Sequence, residues 1–142
     1  MPVVQFHLAD DKYSVEQCEE LMVKASKLYS SVLGSPMERV RVFIQFHKPW
    51  AMATAGKPVS RGGAVAPYFC FIVLEGRSLD QRQALIEGFT DLIASVLGEE
   101  KQLVRGACWP VPPEDWGIGG KPASELRKDE ISQRQQQVGR TP

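Results

Sequence analysis

A duplication constrains this chain more than any other feature. Sliding the sequence against itself by 64 positions lays Ser14–Gly34 on Ser78–Gly98, and 8 of the 21 paired positions are identical. Among them are Ser14/Ser78, Gln17/Gln81, Leu21/Leu85 and Leu28/Leu92, followed by Ser-Val-Leu-Gly in both copies. The same offset puts Arg41 on Arg105 and Gly56-Lys57-Pro58-Val59-Ser60 on Gly120-Lys121-Pro122-Ala123-Ser124. Upstream the offset becomes 65, and Pro2 falls on Pro67, each leading an apolar run. A repeat of this length is one supersecondary unit used twice. The halves are 2–60 and 67–125, forming a single domain with a polar, Gln-rich tail over 127–142 that is expected to be mobile.

Each half reads as strand, helix, strand. Val3–Leu8 and Tyr68–Leu74 are β-rich runs that stop at polar or glycine positions. Ser14 and Ser78 stand where N-caps belong, and Leu21, Ala25, Leu28 and Val32 recur at helical spacing, as do Leu85, Phe89, Leu92 and Val96. Gly34 and Gly98 supply left-handed C-caps. The second strands are Arg39–Phe46 and Leu103–Trp109; in the first, Val40, Val42, Ile44 and Phe46 share one face and Arg41, Phe43 and Gln45 the other. Right-handed βαβ crossovers then give an α+β fold, a four-stranded sheet with two helices on one face. The bare sheet face must be covered, so oligomerisation is expected.

Seventeen basic residues balance seventeen acidic ones. That removes the electrostatic footprint of a nucleic-acid or anionic-membrane partner. The longest uncharged apolar stretch, Gly62–Leu74, is 13 residues and too short to span a bilayer. No basic segment precedes an apolar one at the start, so no signal peptide is expected. Cys18, Cys70 and Cys108 are an odd number with no CxxC spacing, which favours a reducing, cytoplasmic setting and core-filling roles. With His7 and His47 the sole histidines, no metal centre is expected; that no cofactor is needed is implied by the resemblance that follows.

The second half resembles 4-oxalocrotonate tautomerase, whose short subunits are single βαβ units that begin with a catalytic proline. The resemblance spans nearly all of Pro67–Lys128 and rests on Leu74-Glu75-Gly76-Arg77-Ser78, Val104-Arg105 and Trp116-Gly117-Ile118-Gly119-Gly120. It includes the eleven positions from Arg105 to Trp116. The first half matches more weakly, with Lys12 or Tyr13 near the place of the turn arginine and Met52 in that of the aromatic. The duplicated length is similar to the fused cis-3-chloroacrylic acid dehalogenase and malonate semialdehyde decarboxylase branches, which are trimers of two-unit subunits. A homotrimer of tautomerase fold is therefore implied.

The resemblance also implies roles. Removal of Met1 would leave Pro2 as a secondary amine, and burial near guanidinium groups pulls such an amine from a reference pKa of roughly 8 toward neutrality. A base at pH 7 needs that value. Pro67 has its nitrogen in a peptide bond, so one catalytic proline per chain follows. Arg77 and Arg105 would hold a small carboxylate substrate and stabilise its enolate, and Trp116 would wall the site. Asp115 stands where the dehalogenase branch has a water-activating glutamate, and Tyr29 where it has a histidine, so both are substrate-site candidates. Val104 and Leu74 replace a tyrosine and an arginine of that branch, which argues against dehalogenation. Arg41 is read as a trimer contact or a vestige, and His47 and Trp50 as interface residues. The expected activity is enol–keto interconversion of a small 2-oxo acid or unsaturated dicarboxylate. The alternatives are a hydratase, dehalogenase or decarboxylase with Pro2 as acid, and a catalytically silent trimeric binding protein.

Overall fold

The computed structural model describes residues 2–140, with the side chains of 138–140 left aside. Expectations about Met1 and about the last two residues of the tail lie outside the described residues. The first half runs β1 (Val3–Ala9), α1 (Val15–Leu33) and β2 (Arg41–His47), then a small hairpin of β3 (Ala53–Thr54) and β4 (Lys57–Pro58). The second half repeats the series as β5 (Tyr68–Leu74), α2 (Leu79–Leu97), β6 (Arg105–Val111), β7 (Gly117–Ile118) and β8 (Lys121–Pro122). Two further helices follow, α3 (Ala123–Leu126) and α4 (Lys128–Arg140).

Both long helices start and stop by the same devices. Ser14 and Ser78 accept hydrogen bonds from the amides of Gln17 and Gln81, whose side chains accept in return from the serine amides. This reciprocal box satisfies N–H groups that have no partner inside the helix. Gly34 and Gly98 then turn left-handed at φ 65° and 69°, where a Cβ would be strained. The duplication thus extends to the level of individual caps.

The main sheet has the order β2-β1-β5-β6. Within each half the strands are parallel, and the halves join through an antiparallel β1–β5 pair. That pairing sets Val3 opposite Ile72 and His7 opposite Tyr68, so the two units point in opposite directions. One face of the sheet carries Val4, Phe6, Leu8, Phe69, Phe71 and Val73, all buried beneath α1 and α2. Phe89 of α2 stands at the centre, its ring 5.3–5.8 Å from those of Phe6, Tyr29, Phe69 and Phe71. Gly106 lies opposite Phe69, and a Cβ there would meet the phenyl ring at 2.0 Å, so glycine makes room for the ring.

Neither α1 nor α2 covers the other face. Phe43, Tyr68 and Trp109 are exposed there. The tail forms a helix over Lys128–Arg140. It is held to the body by a two-pronged ion pair in which both terminal nitrogens of Arg39 donate to the Glu130 carboxylate at 3.0 Å.

Candidate active site

The strand registers decide which candidate residues can meet. Pro2 immediately precedes β1 and is fully buried. Its carbonyl accepts from the Arg41 amide at 2.8 Å, because Val3 pairs with Arg41 at the start of β2. β5 runs the opposite way, so its exit, and Arg77 in the turn beyond, lies at this same end of the sheet. β6 leaves at this end too, since Leu74 pairs with Val111. The β7–β8 hairpin that follows carries Trp116 across to Val3 and Arg41. Between them lies a cavity of about 510 Å³, lined also by Arg39, Ile118 and Arg127.

Arg105 is not there. It begins β6 beside Tyr68, at the opposite end of the sheet, where its amide donates to the Pro67 carbonyl at 3.1 Å. Five residues of strand, roughly 16 Å at the usual rise, separate that level from Pro2. Within one chain the arginine beside Pro2 is therefore Arg41, the duplicate of Arg105. Both side chains are exposed and held alike: Arg41 Nη1 donates to the Glu38 carbonyl and Arg105 Nη1 to that of Gln102, each at 2.7 Å. The antiparallel joining of the units thus sets Arg105 at the end of its own chain's sheet away from Pro2.

Arg77 is largely enclosed. Its Nη1 donates to the Leu33 carbonyl at 2.8 Å, and burial followed by the charge of Arg134 lowers its pKa to about 10. At the equivalent place in the first half stands Tyr13, whose hydroxyl donates to Glu99 at 2.6 Å while Lys12 pairs with the same carboxylate. The opposite end of the sheet is therefore closed by Tyr13, Glu99 and Lys12 where this end has an arginine. Its cavity, about 230 Å³ between Met52 and Tyr68, is also smaller. Beside it His7 and His47 stack, with Nδ1 and Nε2 2.8 Å apart, and burial together with the neighbouring ring depresses the His7 pKa.

Two further candidates are displaced. Tyr29 is completely buried, and its hydroxyl donates to the carbonyls of Ile72 and of Val3, the latter at 3.3 Å. Desolvation raises its pKa, so it is a neutral tie between the helix and two strands, outside the residues lining the cavity. Asp115 is exposed on the turn Pro113–Asp115, outside the residues lining the cavity. Sequence reasoning missed Arg39 and Arg127, which line the cavity, and Arg134 beside Arg77. The sole signal for the last two is the spacing Arg127, Glu130, Arg134, which places all three on one side of a helix.

Comparison with known proteins agrees with this arrangement of two equivalent units. The family model described as tautomerase enzyme matches residues 2–62 and again 67–125. The chain belongs to the tautomerase family, and it is an isomerase of the 4-oxalocrotonate tautomerase type. Over 60 residues it is 40% identical to the 2-hydroxymuconate tautomerase of Comamonas testosteroni, covering 42% of this chain and 95% of that one. A 2-hydroxymuconate tautomerase of Pseudomonas sp. (strain CF600) is 34% identical over 56 residues, 39% of this chain and 89% of the relative. Among solved structures, native fused 4-OT superposes with a TM-score of 0.83 at 26% identity, covering 88% of this chain and 98% of the other. N1, of the cis-3-chloroacrylic acid dehalogenase family, superposes at 0.74 with 18% identity over 92% of this chain and 99% of its own, a likeness of fold alone. Among the described residues no helix is long and apolar enough to cross a membrane.

Proposed function

We propose that this isomerase interconverts the enol and keto forms of a small 2-oxo acid or unsaturated dicarboxylate, with Pro2 as the base. The observation that carries the reading is the setting of Pro2: a fully buried ring at the strand end, beside the cavity between Arg41 and Trp116. Once Met1 is removed, the neutral secondary amine accepts the proton of the enol hydroxyl. The negative charge that develops is delocalised over the enolate and met by guanidinium groups, and the ammonium then returns the proton to carbon. No atom is gained or lost, and the indole of Trp116 keeps the exchange away from bulk water.

Hydration would need more. A water must be activated and aimed, yet Asp115 is exposed outside the cavity and the Tyr29 hydroxyl is committed to two carbonyls. A carboxylate misplaced by roughly an ångström loses about a hundredfold in rate. Assaying 2-hydroxymuconate and phenylenolpyruvate against cis- and trans-3-chloroacrylate on one preparation should give the larger kcat/KM on an enol. A larger value on either chloroacrylate would replace this reading with the dehalogenase.

The second guanidinium is Arg105 of a neighbouring copy. Phe43 and Trp109 leave apolar surface exposed on the open sheet face, β6 ends the sheet with a free edge, and a related fused 4-OT is described as an asymmetric trimer. A homotrimer would bury that face and bring the Arg105 end of one chain toward the Pro2 end of another. Its three free cysteines suit a reducing cytoplasm. Light scattering should report three chains. Pro2→Ala and Arg105→Ala, each strongly impaired alone, should regain activity when unfolded together and refolded as mixed trimers. Failure of the mixture to exceed its parents would return Arg105 to a structural role.

A further inference from the structure

The end of the sheet away from Pro2 carries a donor set that the proposed reaction does not use. Side chains alternate along a strand, so with Phe6 and Leu8 buried beneath the helices, His7 stands on the open face of β1. Ala9 pairs with His47, which sets the second imidazole beside the first on that face. The two rings lie 18° from parallel, with His7 Nδ1 and His47 Nε2 2.8 Å apart. Both residues line the cavity of about 230 Å³, together with Met52, the ring of Tyr68 and three alanines. Among the described residues that line it there is no carboxylate and no ammonium. Lys48, next to His47, pairs instead with Asp10, its Nζ 2.6 Å from the carboxylate.

The repeat supplies an internal comparison. Laid on the second half by the same offsets, 65 for β1 and 64 beyond it, His7, His47 and Met52 fall on Ile72, Val111 and Trp116. The strand pairing agrees, since His7 opposite Gln45 corresponds to Ile72 opposite Trp109. The second copy folds with apolar groups at all three places, so packing does not call for nitrogen or sulfur there. Two imidazoles and a thioether nevertheless surround one cavity in the first half.

We propose that His7, His47 and Met52 bind one soft monovalent metal ion, Cu(I), at this far cavity. The scarcity of histidine argues against a metal by count, but a thioether is a donor that the count omits. Thioether sulfur with neutral imidazole selects Cu(I), whereas Zn(II) takes four donors and completes them with thiolate or carboxylate. In the hydrogen bond between the rings, one nitrogen presents N–H and the other a lone pair. The proton moves to the far nitrogen of its own ring, and both imidazoles then coordinate as neutral ligands. Two nitrogens roughly 2.0 Å from one ion in a trigonal arrangement stand about 3.5 Å apart, so the rings part by about 0.7 Å. The unbranched Met52 side chain has the rotatable bonds to bring its sulfur to the third position. A homotrimer would cover this face and shield the ion from water. Nothing in the site depends on Pro2 or on the identity of the enol.

The test uses the full reduced chain under anaerobic conditions, with Cu(I) supplied as its bicinchoninate complex and followed by the colour of that complex. Wild type should withdraw one Cu(I) per chain. Met52→Leu, His7→Gln and His47→Gln should each weaken binding by at least the roughly tenfold that loss of an outer-shell partner costs a metal site. Met52→Leu conserves apolar volume and should unfold close to wild type without metal, so its loss of affinity is not misfolding. With Ag(I) as a redox-inert stand-in and isotope-labelled methionine methyl groups, the Met52 resonance should shift while those of Met22 and Met37 stay. Cys70, on the same open face, is the competing soft donor, and Cys70→Ser should bind as wild type does. No withdrawal of Cu(I) by wild type overturns the site. So does an affinity unmoved by Met52→Leu, one lost in Cys70→Ser, or Zn(II) bound as tightly as Cu(I).

Discussion

Replacing Pro2 with alanine is expected to lower kcat/KM for enol ketonisation by about a hundredfold to ten-thousandfold, the range supplied by one positioned proton-transfer group. Alanine leaves a primary amine at the same place, so some basicity survives. What goes is the ring that fixes the direction of the lone pair and the apolar volume that fills the fully buried position. The loss should fall on kcat more than on KM, because the arginines proposed to hold the acid are untouched. Absorbance at the enol band on wild type and variant, after mass spectrometry has confirmed removal of Met1, gives the comparison. Wild-type kcat/KM in Pro2→Ala would remove Pro2 from the mechanism.

The second large effect is on stability. Phe89→Ala should destabilise the fold by about 3–5 kcal/mol, since the ring fills the space among four other aromatic rings and the helix cannot collapse to replace it. Two of those rings come from each half, so the cavity would open at the seam where the repeats share one core. Ile86→Ala on the same helix removes a side chain that is 36% exposed and should cost about 1 kcal/mol or less. Urea titrations at one fixed protein concentration should show the two midpoints well separated. Equal shifts would mean that Phe89 is not the centre of the packing.

Much of the architecture is readable from the residues because local signals agree with one another. Caps at Ser14 and Ser78, glycine stops at Gly34 and Gly98, and alternation through Val40–Phe46 all predict elements that the structure contains to within about two residues. Tyr29 shows where counting goes astray. Aligned from Pro2 it lands on a catalytic position, but Leu21, Ala25, Tyr29 and Leu33 recur every fourth residue and form the buried stripe of α1. The helical period was the stronger signal. The place of Arg105 could not be read, because the repeat pattern says nothing of how its copies are joined. α4 was hidden for another reason: Ile131 and Val138 are the two apolar residues in a segment otherwise made mostly of Gln, Arg, Lys and acidic residues. Its residues are good helix formers, but what it covers is charge, and a search for apolar periodicity passes over it.

The closure of the far end by Tyr13, Glu99 and Lys12 bears on how such a chain can change. In a subunit made of one unit, each position is present at every equivalent place in the assembly, and a substitution alters all of them together. Fusion separates the copies. Position 13 can become tyrosine while position 77 stays arginine, and a helix can be appended after the second copy alone. Each residue is then selected in one setting instead of two. An assembly of three such chains keeps the outline of six equal parts while only three of its corners need to remain fit for a ligand. The other three are free to be spent on rigidity.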